Sequence, residues 1–176
     1  QIQMKVFEIA KRAMPQEEIS NLFHAWLKAD KARPLLMASQ KQGISLGEIS
    51  TEINRYCDML EDTSSLLPED KRAISVALIK RFFTGRLKYI NIAKDFISVD
   101  DFVELVKNIV GPMDGEGKLG GKTSGLYLAQ KIIESEKAVN PNLEGIKFPR
   151  SWYLTSDTMI QLVRYNDLDD LINIKY

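Results

Sequence analysis

Apolar residues recur at helical spacing from the start of the chain. Residues 16–32 follow Pro15, which suits the first turn of a helix because proline has no N–H to leave unpaired there. The apolar positions of this stretch are Ile19, Leu22, Phe23, Trp26 and Leu27. Residues 45–60 carry a second apolar stripe, and Ser45 and Glu48 have the spacing of a capping box. The pattern predicts two amphipathic helices.

The same periodicity continues to residue 110. Residues 69–97 predict one long helix, with a bend at Gly85 because glycine weakens a helix interior. Ser98 and Asp101 repeat the capping pattern with aspartate before a short helix that ends near residue 109. The first 110 residues therefore predict an all-helical region.

The composition changes at Val110. Residues 111–125, GPMDGEGKLGGKTSG, contain six glycines and one proline, which predicts a loop. Helical spacing resumes at Leu126, so the loop leads into a helix. Residues 146–154 are rich in aromatic and β-branched types and predict one short strand after a proline.

Two short helices are expected to complete the chain. The first covers residues 157–166 and is capped by Thr155 or Ser156, and the second covers residues 167–176 and is capped by Asn166. The predicted fold class is therefore mainly α, with one or two short strands in the last third of the chain.

Charge and cysteine content indicate which classes of partner and which compartment to expect. The 24 basic and 24 acidic side chains cancel, which argues against a nucleic-acid partner, and no apolar run reaches the length of a membrane span. Cys57 is the single cysteine, and an unpaired thiol fits a reducing compartment. We expect a cytoplasmic protein with no nucleic-acid or membrane partner.

The glycine-rich segment has two interpretations. A glycine loop that enters a helix can direct backbone N–H groups at a phosphate, and Lys122 adds a positive charge. It is not a Walker A loop, because Glu116 stands where the first glycine is required and the preceding segment is helical. The alternative is a linker between two subdomains in which Lys122 is merely solvated.

The order of segments from the glycine loop onward resembles the start of the ATP-binding domain in the phosphoenolpyruvate synthase and pyruvate phosphate dikinase family. The resemblance covers residues 111–176 most firmly and residues 72–110 more loosely. Its matching positions are Gly120, Gly121, Lys122, Gly125, Leu126, Pro149, Trp152, Thr155 and Ser156.

That resemblance implies two regions: a helical accessory region over residues 1–110, and the beginning of an ATP-grasp-like α+β nucleotide-binding domain over residues 111–176. It also implies that Lys122 contacts phosphate oxygens of ATP, with the backbone around Gly120, Gly121 and Thr123. ATP and Mg²⁺ are the cofactors implied for the complete parent enzyme, which would pass phosphate through a histidine to pyruvate or a related acceptor.

The chain lacks the other parts of that family's pattern, namely its downstream arginine, metal-binding acidic residues, phosphohistidine domain and barrel. We therefore expect an N-terminal fragment, inactive alone, whose partners are ATP and the remaining domains of the same polypeptide. No residue of this chain is predicted to be catalytic or to bind a metal. The competing hypothesis is a non-catalytic helical interaction or regulatory module.

Other reactive residue types have simpler interpretations. His24 lies within a helix between Phe23 and Trp26, which favours packing or a surface position over phosphoryl transfer. Cys57 falls on an apolar helical stripe and is expected to be inert. A cluster of basic residues at positions 80–88 is interleaved with aromatic ones, as on a helix with one solvated face. Arg150, beside Pro149, is expected to be a solvated arginine at a turn, and the alternative is that it points toward the glycine loop as a second cation.

Overall fold

The computed structural model describes residues 8–9, 11–60, 68–168 and 170. From residue 16 onward, the described helices and strands are, in chain order, α1 (Gln16–Gln40), α2 (Leu46–Leu60), α3 (Pro68–Phe82), α4 (Leu87–Ala93), α5 (Val99–Lys107), β1 (Ile109–Val110), α6 (Gly121–Glu136), a 3-10 turn (Pro141–Leu143), β2 (Tyr153–Leu154) and α7 (Ser156–Tyr165). The prediction of a mainly α fold is confirmed.

The first helix is longer than its sequence pattern predicted. It continues past residue 32 to Gln40 and contains Pro34. The C-terminal half of α1 buries Ala32 and Leu35, while Leu22 and Trp26 in the N-terminal half stay exposed. Tertiary packing therefore holds the half of α1 that the apolar pattern did not identify.

The single helix predicted over residues 69–97 is wrong, because α3 ends at Phe82 and α4 begins at Leu87. Phe83 is buried, and its ring meets Tyr89, Phe102 and Tyr127 at centroid distances of 6.1, 5.9 and 5.2 Å. Gly85 lies in the break, where its backbone freedom is useful. The chain thus turns around a buried ring, where the sequence predicted only a bend.

Both predicted capping boxes are confirmed. The Glu48 carboxylate accepts from the Ser45 N–H at 2.9 Å, and the Glu48 N–H donates to the Ser45 hydroxyl. Ser98 and Asp101 make the same reciprocal pair at the start of α5. These local contacts satisfy N–H groups that have no acceptor within their own helix.

The core forms where α1, α2, α3 and α5 pack together, with α4 against α3. Phe82 and Phe102 stack at 5.7 Å inside it. Leu119, Tyr127 and Leu128 join the same buried cluster from the later part of the chain. The predicted division at residue 110 stays a prediction, although buried residues on both sides of it share this core.

The strands form a two-stranded parallel sheet. Ile109 pairs with Tyr153 and Val110 with Leu154. The sequence placed residue 109 in a helix and so missed β1, and the short strand predicted after Pro149 within residues 146–154 is present only at Tyr153 and Leu154. The strands are too short to show the period-two alternation by which a strand is recognised.

The last third of the chain differs from its prediction in one further respect. Helix α6 begins at Gly121, five residues before the predicted start at Leu126, so the loop covers only residues 111–120. Thr155 caps α7 as predicted, since its side chain accepts from the Thr158 N–H. The helix predicted over residues 167–176 falls largely outside the described residues. No helix in the described part combines the length and apolarity needed to cross a membrane.

Candidate functional site

The loop at residues 111–120 is fastened to the helices around it. The N–H groups of Leu46 and Gly47, at the start of α2, donate to the carbonyls of Gly115 and Met113 at 2.7 and 2.8 Å. The Leu119 N–H donates to the Phe82 carbonyl at the end of α3 at 2.8 Å. These bonds hold the loop in a defined position, so the hypothesis of a free linker does not describe it.

Arg81 reinforces the loop from beneath. One of its guanidinium nitrogens donates to the carbonyl oxygens of Ile44 and Glu116, at 2.5 and 2.9 Å. Burial acts to lower the pKa of Arg81, while Glu116, Asp157 and Glu48 act against this effect, and the net direction is downward. Arg81 thus belongs to the internal support of the loop. It is not part of the solvated basic face that the sequence predicted at positions 80–88.

Three glycines of the segment are required by packing. A Cβ at Gly111 would lie 2.3 Å from Thr155 Oγ1, and one at Gly115 would lie 2.8 Å from an Asp157 oxygen. Gly117 has a φ of +73°, which L side chains rarely adopt, and it lies against Leu46. The fold itself therefore explains these three positions.

The other three glycines have no such reason. A Cβ at Gly120, Gly121 or Gly125 would meet nothing within 4 Å, and all three residues are exposed. Gly120 is the N-cap of α6, and Gly121 is its first residue. Gly120 and Gly121 therefore leave open space beside the first turn of α6.

The first turn of α6 has unused hydrogen-bond donors. No side chain caps it, and the first backbone bond within the helix runs from the Ser124 N–H to the Gly120 carbonyl at 3.0 Å. The N–H groups of Gly121, Lys122 and Thr123 therefore have no acceptor within the helix. Lys122 is exposed and Thr123 is half-buried. The four residues named by the sequence thus lie together, with donors and a cation at the positive end of a helix dipole.

A neighbouring segment lies beside this turn. The Leu119 bond to Phe82 holds one side of it, and on the other side the Tyr89 hydroxyl donates to the Ser124 carbonyl at 2.8 Å. Burial raises the pKa of Tyr89 to about 12, so the hydroxyl keeps its proton at neutral pH. The chain between Phe82 and Tyr89 contains exposed Arg86 and Lys88.

Metal ligands do not accompany the site. Among the described residues, no group of three or more histidine, cysteine, aspartate or glutamate side chains could hold a metal ion. Asp157 accepts from the Gly117 N–H at 2.8 Å, and Asp101 contacts Lys131 at 2.7 Å. These carboxylates therefore serve structural contacts.

Other residues considered from the sequence lie elsewhere. His24 is exposed, and its Nδ1 is 2.7 Å from the Ser20 carbonyl in the preceding turn of α1. Cys57 is half-buried. Arg150 lies over the Trp152 ring at 5.4 Å and lines a groove beside α6, so it is not the second cation of the glycine loop that the sequence suggested.

Comparison with known proteins gives a different relative from the one expected. The chain is 26% identical over 87 residues to the transcriptional repressor NrdR of Thermotoga neapolitana. The match covers 48% of this chain and 56% of that protein, so the chain spans about half the length of this curated relative. No family model and no solved structure matches the chain.

The comparisons correct the expected identity. The resemblance to the phosphoenolpyruvate synthase and pyruvate phosphate dikinase family is wrong, because no such family model matches and the curated relative found is a transcriptional repressor. The phosphotransferase function, with its phosphohistidine route to pyruvate, is wrong for the same reason. The glycine and lysine pattern of residues 120–123 was a local feature, and it could not identify a family by itself.

Proposed function

We propose that this chain is a non-catalytic regulatory domain that binds the phosphate groups of a nucleotide, with ATP as the first candidate, at the start of α6. The observation that carries the proposal is the uncapped first turn of α6. There Gly120 and Gly121 leave open space beside free N–H groups, and Lys122 supplies a cation.

The residue chemistry supports a phosphate ligand in particular. A phosphate offers several acceptor oxygens at once, and N–H groups in successive residues can each bind one. A lysine ammonium adds a charge-assisted contact without a fixed geometry. Side chains at positions 120 and 121 would fill the space through which a phosphate approaches, so glycine at both positions suits close contact with the backbone.

A regulatory role agrees with the similarity to a transcriptional repressor, since repression by itself requires no turnover. The chain carries no net charge, and Arg81 is occupied with the Ile44 and Glu116 carbonyls. A domain that senses a small ligand fits these features better than a DNA-binding surface, which requires many phosphate contacts.

Calorimetric titration of the full chain with ATP tests the proposal, with adenosine as the phosphate-free comparison. ATP should bind and adenosine should bind at least about tenfold more weakly, because the proposed contacts are made to phosphate. Lys122→Ala should lower the affinity for ATP by about five- to tenfold through loss of one charge-assisted contact.

Lys71→Ala is the matched control. Lys71 is an exposed lysine in α3, and it lies eleven residues before Phe82, which is about 16 Å along a helix. This variant should bind ATP as the unmodified chain does. Equal loss in both variants, or no binding of ATP at all, would exclude the site.

A further inference from the structure

A second candidate site lies beside α6, and residues 120–123 do not line it. The middle and C-terminal part of that helix from Tyr127 onward, the end of α5 and the segment at residues 146–152 line a groove of about 940 Å³. Tyr127 and Lys131 of α6, Lys107 of α5, and Phe148, Arg150 and Trp152 of the segment line it. This side-chain set is independent of Lys122 and of the glycines before it.

One wall of the groove is fixed in place. The Lys131 ammonium contacts Asp101 at 2.7 Å and Glu134 at 3.1 Å, and the Tyr127 hydroxyl donates to the Asp101 carbonyl at 3.1 Å. Burial acts to lower the pKa of Lys131, but its bonds to Asp101 and Glu134 outweigh this effect and the pKa rises. A rigid wall reduces the entropy cost of binding a ligand.

The other wall exposes the residue types that bind partners. Trp152 is 56% exposed and has the Arg150 guanidinium over its ring at 5.4 Å. Phe148 is half-buried under the Lys137 ammonium at 5.4 Å. Tryptophan and arginine are enriched among the residues that contribute most to protein interfaces. The backbone from Lys147 to Trp152 forms no helix, and Tyr153 begins β2.

The charges of the groove select the ligand class. Among the described residues that line the groove, four cations have no carboxylate within ion-pair distance, namely Lys107, Lys137, Lys147 and Arg150. Two lining carboxylates, Glu104 and Glu144, likewise lack an ion-pair partner. The four cations exceed the two carboxylates, so an acidic ligand is favoured. Glu104 and Glu144 would repel a continuous polyanion. A peptide whose acidic residues are spaced apart can place them away from these two carboxylates.

We propose that this groove binds a peptide segment of a partner protein that carries acidic residues beside one large apolar side chain. The apolar side chain packs on Trp152, and the acidic groups meet Lys107, Lys147 and Arg150. This inference is independent of the nucleotide site proposed above.

Selection from a random dodecapeptide library displayed on phage, with the full chain as target, tests the proposal. The selected sequences should be net acidic and share a large apolar residue. Their synthetic versions should bind the unmodified chain, and Trp152→Ala should weaken that binding by at least about tenfold. Trp152→Tyr should recover part of the loss, because it restores an aromatic face.

Three controls make the result decisive. Lys71→Ala and Lys122→Ala should leave peptide binding unchanged, which separates this groove from the nucleotide site. Each variant should unfold at the same denaturant concentration as the unmodified chain, since Lys71, Lys122 and Trp152 are all exposed. The proposal is overturned if no acidic sequences are enriched, if Trp152→Ala binds them normally, or if a single-stranded oligothymidylate of twelve nucleotides binds the groove more tightly than they do.

Discussion

At the scale of single residues, the glycines of the loop have two distinct roles. Gly111 and Gly115 allow side chains of α7 or its cap to approach the backbone, and Gly117 adopts a left-handed conformation. Gly120, Gly121 and Gly125 have open space around them. The sequence alone cannot distinguish the two groups, because the neighbours that distinguish them, residues 46, 155 and 157, come into contact with the glycines only when the chain folds.

The pair Gly111→Ala and Gly121→Ala tests this distinction. The methyl group at position 111 would overlap the Thr155 side chain, so we expect Gly111→Ala to lower the free energy of unfolding by about 1–3 kcal/mol. Gly121→Ala should leave it unchanged or raise it by up to about 1 kcal/mol, because alanine favours a helix and meets no neighbour.

Urea denaturation followed by circular dichroism measures both values. Equal effects at the two positions would show that the close approach of Thr155 to Gly111 does not constrain the fold. Gly121→Ala then serves in the nucleotide titration as well, where we expect weaker ATP binding from a domain of unaltered stability.

At the scale of elements, sequence reasoning succeeded where the determining contacts are local. The capping boxes of α2 and α5 were predicted because their partners are three residues apart, and hydrogen bonding between them requires no tertiary structure. The break between α3 and α4 was not predicted, because Phe83 is buried by Phe102 and Tyr127 from later parts of the chain. Helical periodicity cannot show such a contact.

The capping box of α2 gives a pH-dependent prediction. Hydrogen bonds from the Ser45 backbone and hydroxyl lower the pKa of Glu48 below its ordinary value of 4.5. A lowered folded-state pKa contributes stability that is present above the unfolded-state value and is lost as the pH falls through the folded-state value. Glutamine keeps an acceptor at this position but does not titrate.

We therefore expect the stability difference between the unmodified chain and Glu48→Gln to be constant at neutral pH. The difference should shrink as the pH falls below about 4.5, because protonation removes the charge that distinguishes the two side chains. Urea denaturation at closely spaced pH values measures it. A difference that stays constant through the acidic range would show that the carboxylate charge does not support the start of α2.

At the scale of the whole molecule, the glycine loop connects packing partners that are distant in sequence. The Leu119 N–H bonds the Phe82 carbonyl, and Leu119 and Tyr127 lie in the core with residues of α1 to α5. We expect the two sides of residue 110 to unfold together as one cooperative unit.

Native-state hydrogen exchange measures this cooperativity. The amides of Leu119 and Phe83, which lie on opposite sides of residue 110, should open with free energies that agree within about 1 kcal/mol. A much smaller value at Leu119 would instead indicate that the chain divides near residue 110 into two independently stable domains.

The candidate sites were predictable to different degrees. The cluster at Gly120, Gly121, Lys122 and Thr123 is contiguous in sequence, so its residues could be named before the structure was known. The groove at Trp152 combines three elements separated by up to 45 residues, counted from Lys107 to Trp152. A single sequence contains no signal for that juxtaposition, and Arg150 could be noticed only as an isolated cation.

The attachment of α7 has a mechanical consequence. None of its ten residues is buried, and its first turn is bonded to the loop that leads into α6: the Ser156 N–H donates to the Lys118 carbonyl, and Asp157 accepts from the Gly117 N–H. A ligand that moved the start of α6 would therefore also displace the N-terminus of α7. Because coupling between two binding sites is reciprocal, a protein bound to α7 would change the affinity of the ligand by the same factor, and the loop at residues 111–120 would transmit the effect.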